Sequence, residues 1–357
     1  MNKAQLKFEF FQRVLNQYQI RIGLELEKFF NKKIKESSRL FPQAVETIKI
    51  LRDINVGGGK RIRPILINIG YALAGGKDKK AILETCPCIE LIHNWFLIHD
   101  DIIDRDELRR GRPSLYKFYQ KKMKDNHAGI SLAIIAGDIG AALGYWLLVN
   151  SKFQEKFRTK ALNIFYQTVV DTCHGEMLEV FIKDDKDKLK EKDILNVCEY
   201  KTAYYTFANP LKIGAALAGA DDRFLKQIER FALPIGSAFQ IRDDILGLFA
   251  SQKKLGKPIV SDIEENQPNL LIFKTLALAN LKARQEFKKY LGKKNLSREE
   301  IQRVRKIVRQ SGSLEYCQNK AENLVNEAKL SIRKIQAPQK EKDFLLSLAD
   351  YMIERVF

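Results

Sequence analysis

The sequence predicts an all-α protein, and two observations support that prediction. Apolar residues recur at helical spacing along most of the 357 residues, and no segment shows sustained strand-like alternation between hairpin turns. The chain has only nine prolines, and no stretch rich in Gly, Ser and Pro divides it. We therefore expect one large domain over residues 1–357, because an apolar content of 45% is ample for a single core.

The individual helices follow from the same spacing, taken in chain order. An apolar stripe that begins at Leu6 continues at helical intervals to Phe30. Residues 131–150 are apolar and about long enough to span a membrane, but Asp138 and several glycines interrupt them, so we expect a buried core helix. Charged amphipathic helices are predicted at Thr275–Leu291, Ser297–Val308, Tyr316 to about Ile335 and, after Pro338, Lys340–Val356.

The most informative segment is Leu91–Ser114, in which an apolar helix-like run ends in paired aspartates followed by arginines. Asp100 and Asp104 are four residues apart, so a helix projects both carboxylates from one face, roughly 6 Å apart. Such a pair suits Mg²⁺, which one or two carboxylates usually hold together with substrate phosphates. Planar guanidinium groups that could bind those phosphates follow at Arg109, Arg110 and Arg112. The segment therefore predicts a metal and diphosphate site, with a solvated helix end as the alternative.

A second apolar run also ends in paired carboxylates, Asp243 and Asp244, although Gly247 stands where a partner one turn on would be. One such pair alone is typical of a surface. Two pairs that follow apolar runs predict facing helices with metal ions and a polyanion between them, because uncompensated buried carboxylates are costly. Further cations that could bind a polyanion, each alone typical of a surface, are Lys60, Arg61, Arg63, Lys201 and Lys257.

Taken in order, these motifs resemble the trans-isoprenyl diphosphate synthase, or polyprenyl synthetase, family. The segments that carry the resemblance are GGGKRIRP, IHNWFLIHDDIID, RRGRPS, GDIGAALGYWLL, YKTAYYTFANPLKIGA, FQIRDDILG and GKPIVSDI. The part from YKTA through DDILG is most similar to the archaeal-type short-chain farnesyl and geranylgeranyl diphosphate synthases. The resemblance implies a helical bundle of the isoprenoid synthase type around a central cavity, usually as a homodimer.

The resemblance also implies a reaction. Isopentenyl diphosphate would condense with dimethylallyl, geranyl or farnesyl diphosphate to give farnesyl or geranylgeranyl diphosphate and pyrophosphate. About three Mg²⁺ ions, which Mn²⁺ could replace, would be held by Asp100, Asp104 and Asp243, supported by Asp101 and Asp244.

The same resemblance assigns the substrate-binding residues. The allylic diphosphate would contact Arg109, Lys201, Thr202, Gln240 and Lys257, and isopentenyl diphosphate would contact Lys60, Arg63, His93 and Arg110. Trp95 and Phe96, the fifth and fourth residues before Asp100, would limit the length of the product. Two bulky rings favour a product of fifteen carbons, with twenty as the close alternative, and ordinary core packing is the other interpretation of these aromatics.

The chain departs from the family pattern in two places. Where the usual sequence is Gly-Lys-x-Thr, this chain has Asn266, Gln267, Pro268 and Asn269, so a cation expected on the allylic diphosphate is missing. Glu176 occupies a position often held by glutamine. We expect both differences to affect turnover and allylic preference, and they leave the residues for isopentenyl diphosphate intact.

Composition limits the partners and the compartment. The net charge of +18 could attract nucleic acid, but the cations are spread along the chain without a nucleic-acid-binding motif, so we expect no nucleic-acid partner. Five scattered cysteines without metal-ligand spacing are typical of reduced thiols in the cytoplasm. Charges near the N-terminus interrupt any signal-peptide core, and we expect no membrane-spanning segment.

Two other functions fit parts of the sequence. A terpene cyclase of the same fold would ionise a prenyl diphosphate, but it has no second diphosphate to bind, and the residues for a second diphosphate are present. A non-catalytic subunit of a heteromeric synthase is suggested by Gly247 and Gln267, while the complete DDIID motif ending at Asp104 favours an active enzyme.

Overall fold

The computed structural model describes residues 3–184, 189–250 and 260–354, and this part of the chain is almost entirely helical. The predicted all-α class is confirmed. Within the described residues the only strands are β1 (Leu108–Arg109) and β2 (Arg112–Pro113), which pair antiparallel in a short hairpin. The sequence did not predict the hairpin, because strands of two residues are too short to show alternation.

The helices have the following bounds. They are α1 Lys3–Ser37, α2 Pro42–Val56, α3 Ile62–Leu73, α4 Lys79–Thr85, α5 Cys88–Ile103, α6 Leu115–Met123, α7 Asn126–Val149, α8 Glu155–Asp184, α9 Glu191–Val197, a π-helix Cys198–Ala208, α10 Asn209–Leu217, α11 Asp222–Phe249, α12 Ser261–Glu264, α13 Leu270–Leu278, α14 Leu281–Lys288, α15 Arg298–Gln310, α16 Ser313–Arg333 and α17 Gln339–Glu354. The chain divides into two compact units. One contains residues up to Asn163 with Pro210–Asp221, and the other contains Ile164–Asn209 with the residues from Asp222 onward.

In the first unit, α1 packs through the predicted apolar stripe. Its fully or almost fully buried side chains are Phe11, Leu15, Ile22, Leu26 and Phe30. Helices α3 and α10 cross in direct backbone contact, because a Cβ atom on Gly70 would lie 2.1 Å from the Leu211 carbonyl oxygen and one on Gly214 would lie 1.9 Å from the Ile67 carbonyl oxygen. Glycine is required at this crossing.

Two stretches of this unit, residues 79–103 and α7, are long and apolar enough to cross a membrane by length and composition alone. Such stretches also form core helices of proteins outside membranes. In residues 79–103, 67% of the apolar window is buried within the fold. In α7 the buried share is only 39%, which corrects the prediction of a buried core helix over residues 131–150. One face of α7 packs inward, and the other exposes an apolar stripe that includes Ile134, Ile135, Ile139, Trp146 and Val149.

The second unit is built on α11, which packs against the π-helix and α16. The predicted helices in the C-terminal part are confirmed with shifted ends, except that Thr275–Leu291 is not one helix. Its chain is extended at Ala279, and the side chain of Asn280 accepts a hydrogen bond from the Ala283 amide at 2.9 Å, which starts α14. Asparagine is a strong N-cap residue, so this local signal interrupts the helical periodicity.

Candidate active site

The acidic end of α5 has the predicted geometry. Asp104 caps the helix, and its amide donates to the Asp100 carbonyl at 2.8 Å, so the two carboxylates are one turn apart. Both side chains are partly accessible to solvent. Asp101, between them in sequence, is buried, with 3% of its surface exposed. The end of the helix therefore presents Asp100 and Asp104 outward and keeps Asp101 inside, as expected for a supporting residue.

Arg109 on β1 holds the buried Asp101 carboxylate. Its Nε donates to Asp101 Oδ1 at 2.6 Å, its Nη2 contacts the same oxygen, and Nη2 also lies 3.2 Å from Asp106 Oδ2. Burial raises the pKa of Asp101, and the hydrogen bond from Arg109 opposes that shift. Arg109 therefore joins the hairpin to α5, which the sequence did not reveal, while its contact with an allylic diphosphate stays a prediction.

The residues predicted for isopentenyl diphosphate come together around the glycine run before α3. Gly58 and Gly59 adopt positive φ angles of 99° and 121°, and Arg110 Nη1 donates to the Gly58 carbonyl at 3.3 Å. Burial lowers the pKa of His93 well below its usual value, and the positive charges of Arg63 and Arg110 lower it further. His93 is thus a neutral imidazole within a group of cations, with Lys60 at the end of the same loop.

Arg61, the cation between Lys60 and Arg63, has a different role. It is buried in a left-handed conformation with φ 54°, and it pairs with Glu90 at 2.6 Å. It also donates to the Asn55 carbonyl at 2.5 Å. Arg61 therefore anchors the loop to α2 and α5 from inside. Glu90 is a carboxylate in the otherwise apolar first turn of α5, a signal in the sequence that was not predicted to pair with Arg61.

In the second unit, Lys201 and Thr202 lie on the π-helix, a rare conformation that occurs frequently at functional sites. Two glycines bring neighbouring helices against it. A Cβ atom on Gly175 of α8 would lie 2.5 Å from the Lys201 amide nitrogen, and one on Gly236 of α11 would lie 2.3 Å from Ala203 Cα. These close approaches place the π-helix beside the functional residues of α8 and α11.

The Lys201 ammonium lies between two carboxylates of α8. It is 2.6 Å from Glu176 Oε2, and it also contacts Glu179. The two glutamates are three residues apart, so they share one face of α8. Glu176 stood out in the sequence as a departure from the family pattern, but Glu179 was not predicted. Its three-residue spacing from Glu176 was the available signal.

Thr202, Gln240 and Asp244 form a hydrogen-bonded chain. Thr202 Oγ1 donates to Gln240 Oε1, and Gln240 Nε2 donates to Asp244 Oδ1, both at 2.8 Å. Burial raises the pKa of Asp244 well above its usual value, and the negative charge of Asp262 adds to the shift. Asp243 is exposed on the same helix, so it has the accessibility that a metal ligand requires.

The departures at residues 266–269 have a structural explanation in part. Asn266 has a φ of 53°, a left-handed conformation that glycine and asparagine tolerate best. Asn269 caps α13 by accepting from the Ile272 amide, and it donates to Asp262 Oδ2, both at 2.9 Å. Gln267 donates a hydrogen bond to Glu265 at 3.3 Å. It is the one departure in this segment that removes a positive charge and has no local structural explanation. Lys257 lies outside the described residues.

The carboxylates suit a metal that arrives with its substrate. Among the described residues, no group of three or more His, Cys, Asp or Glu side chains is placed to hold a metal together. Mg²⁺ does not need such a cage, because it keeps several water or phosphate ligands and binds one or two carboxylates. The pair Asp100 and Asp104 and the exposed Asp243 fit that donor set.

The aromatic pair before Asp100 is stacked. The rings of Trp95 and Phe96 lie 4.9 Å apart with an angle of 23° between their planes, and both side chains are partly buried. On a helix, Phe96 lies one turn before Asp100 on nearly the same face, whereas Trp95 lies well to the side. Phe96 is thus the ring in line with the acidic pair, and Trp95 packs against it.

The chain is similar to known proteins over most of its length. The family model described as polyprenyl synthetase matches residues 45–308. A geranylgeranyl diphosphate synthase of Sulfolobus acidocaldarius is 35% identical over 301 residues, which are 84% of this chain and 87% of that protein. A geranylfarnesyl diphosphate synthase of Aeropyrum pernix is 31% identical, over 84% of this chain and 91% of that protein.

A solved structure has nearly the same fold. A geranylgeranyl pyrophosphate synthase of Corynebacterium glutamicum, complexed with isoprenyl diphosphate and magnesium, superposes with a TM-score of 0.89 at 26% identity. The match covers 96% of this chain and 99% of that chain. The fold, the ordered motifs and the extent of these matches lead to one conclusion. The chain belongs to the polyprenyl synthetase family.

Proposed function

We propose that the chain is a short-chain trans-prenyltransferase, which condenses isopentenyl diphosphate with an allylic diphosphate and releases pyrophosphate. The observation that carries the proposal is the cation group around neutral His93, to which Arg63 and Arg110 belong, with Lys60 in the adjoining loop. A condensing enzyme needs such a group for its second diphosphate, whereas a terpene cyclase does not. The names of the archaeal relatives support the same activity.

The metal requirement is proposed from the carboxylates described above. Asp100, Asp104 and Asp243 would hold Mg²⁺, about three ions in all, with Mn²⁺ as a possible substitute. The Corynebacterium protein was solved with isoprenyl diphosphate and magnesium, which supports magnesium as the metal. When bound, the metal would compensate the negative charge that develops on the departing diphosphate.

The protein's own groups would do the remaining work. Lys201 provides a cation for the allylic diphosphate, and Gln240 fixes the direction of the Thr202 hydroxyl beside it. His93 has one N–H donor and one acceptor nitrogen while neutral, so it can bind a phosphate oxygen and keep a second partner. Apolar walls would keep water away from the allylic cation, which water would otherwise capture.

Product length is proposed to depend on the stacked aromatic pair. The growing chain would extend from the diphosphate at Asp100 toward the N-terminus of α5, and Phe96 lies about 6 Å along that direction. Two rings in this position support a product of fifteen carbons, while the archaeal relatives' names support twenty or more. Replacing Trp95 or Phe96 by Ala is expected to lengthen the product by at least one five-carbon unit.

Assembly and location are further parts of the proposal. The exposed apolar stripe of α7 supports a homodimer, because a second copy could cover it. All five cysteines are free, and four of them are buried, which supports a reducing compartment such as the cytoplasm.

The deciding experiment incubates the purified chain with Mg²⁺, labelled isopentenyl diphosphate and dimethylallyl, geranyl or farnesyl diphosphate in turn. The products are dephosphorylated and sized by chromatography. Incorporation of label into a longer prenyl diphosphate is expected. Hydrocarbon release without incorporation would instead identify a cyclase, and turnover that requires another protein would identify a subunit of a heteromeric enzyme.

A further inference from the structure

Trp95 is held from a second helix. Its indole Nε1–H donates to Asp138 Oδ1 on α7 at 3.2 Å. Trp95 is one of two tryptophans in the chain, and its hydrogen bond to Asp138 lies on the side of α5 that faces α7. The carboxylate therefore constrains the ring that stacks against Phe96.

The space around this hydrogen bond, between α5 and α7, is crowded. A Cβ atom on Gly137 would lie 2.9 Å from His99 Nε2 and 3.0 Å from Trp95 Cδ1, so glycine allows α7 to approach α5 closely. The His99 ring meets Trp95 edge to face at 5.5 Å, and its Nε2 lies 3.6 Å from Asp138 Oδ1. His99 and α7 therefore fill the space on one side of the indole, and Asp138 accepts its only polar hydrogen.

We propose that Asp138 is a positioning residue for product length, because it orients the Trp95 indole and thereby fixes the Phe96 ring in the path of the growing chain. This inference rests on the proposed function. Asp138 is far from the metal-binding carboxylates in sequence and acts through its hydrogen bond to Trp95, with His99 as a second neighbour at 3.6 Å. Its side chain is 58% exposed within the stripe of α7 that a second copy is proposed to cover, so each Asp138 variant is also checked for its oligomeric state.

The first test measures the position of Trp95 without any reaction. In a Trp146→Phe background Trp95 is the only tryptophan, so its fluorescence reports this site alone. Asp138→Ala is expected to increase quenching by acrylamide and the fast component of the anisotropy decay, whereas Asp138→Asn, which keeps an acceptor oxygen, is expected to resemble the parent. Unchanged fluorescence in the alanine variant would overturn the proposal even if the chain catalysed no condensation.

The second test measures products. Asp138→Ala is expected to raise the share of product one five-carbon unit longer by about two- to tenfold, the range that one net hydrogen bond can produce, and Asp138→Asn should restore the parent distribution. Trp95→Phe removes the indole N–H that donates this hydrogen bond, together with part of the ring. If Asp138 acts through Trp95, Asp138→Ala should have no further effect in the Trp95→Phe background.

Two outcomes of the product test would contradict the inference. One is an equal shift by Asp138→Ala in the parent and Trp95→Phe backgrounds, which would show a route that bypasses Trp95. The other is an unchanged distribution in a folded Asp138→Ala variant. Size-exclusion chromatography with light scattering should show the same oligomeric state for all variants, so that a change in product length is assigned to the indole. Failure of the parent chain to condense substrates would refute the proposed function and leave the fluorescence test to decide on Asp138.

Discussion

Single residues at the acidic end of α5 carry the first prediction. Asp100→Ala or Asp104→Ala should reduce single-turnover condensation at least about a hundredfold. Without one metal ligand, the charge on the departing diphosphate is less well compensated, which destabilises the transition state by several kcal/mol. Asp53→Ala is the matched control, since Asp53 is an exposed carboxylate bonded to Arg52 on α2. Activity within about threefold of the parent in either variant would contradict the assignment.

The second prediction concerns the carboxylates around Lys201. Glu176→Gln removes one of two negative charges beside the ammonium but keeps a side chain of equal size. The ammonium should then bind a diphosphate more tightly, with a dissociation constant for Mg²⁺-pyrophosphate lower by about two- to fivefold, as for partly exposed ion pairs. Isothermal titration of the parent and the variant measures this directly. Weaker binding in the variant would show that Glu176 assists the ligand.

The third prediction follows from the pKa of His93. The pKa of His93 is lower in the folded chain than in the unfolded chain. As pH falls through about 6.5, His93 therefore takes up a proton in the unfolded chain before it does so in the folded one. The contribution of His93 should leave stability unchanged above that pH and lower it by about 1 kcal/mol at pH 5.5. Denaturant unfolding of the parent and His93→Gln at pH 7.5 and 5.5 isolates this effect. Equal pH dependence in the two proteins would contradict it.

At the scale of one element, the segment before α13 gives a fourth prediction. The family pattern has Lys and Thr at positions 267 and 269, so Gln267→Lys with Asn269→Thr would restore both. Because Asn269 already caps α13 and bonds Asp262, Gln267→Lys alone should lower the Michaelis constant for the allylic substrate more than that for isopentenyl diphosphate. A charge-assisted contact is worth about 1.5–3 kcal/mol where it forms.

The control for this element is Asn269→Ala. Loss of the cap should destabilise the protein by about 1 kcal/mol in chemical denaturation, while Asn269→Ser should retain most of the stability. A Gln267→Lys variant with an unchanged or raised allylic Michaelis constant would mean that the segment compensates for the missing charge in another way.

At the scale of the whole molecule, the exposed stripe of α7 gives the fifth prediction. Ile135→Asp places a charge on that stripe and should convert a homodimer into monomers at micromolar concentration, because an unpaired charge in an apolar interface is costly. Light scattering after size exclusion measures the mass. Leu40→Asp is the control, since Leu40 is an exposed apolar residue outside α7. A monomeric parent, or a dimeric Ile135→Asp variant, would refute the assembly through this face.

Local patterns were enough to predict the all-α class, the stripe of α1 and the one-turn spacing of Asp100 and Asp104, because helical periodicity and short-range spacing are properties of neighbouring residues. The motif order was enough to identify the family. The prediction of one helix over Thr275–Leu291 failed because the N-cap at Asn280 interrupts the helical periodicity. The prediction for α7 failed because the sequence does not show which apolar faces are buried.

Contacts between residues distant in the chain required the tertiary structure. The pairing of Arg61 with Glu90, the two glutamates around Lys201 and the hydrogen bond from Trp95 to Asp138 join side chains on different elements. Their geometry depends on how closely helices approach, which glycines at the crossings permit but do not specify. The sequence therefore showed which groups could take part in the chemistry, and the packing of the helices decided which cations are held by carboxylates and which ring is held in place.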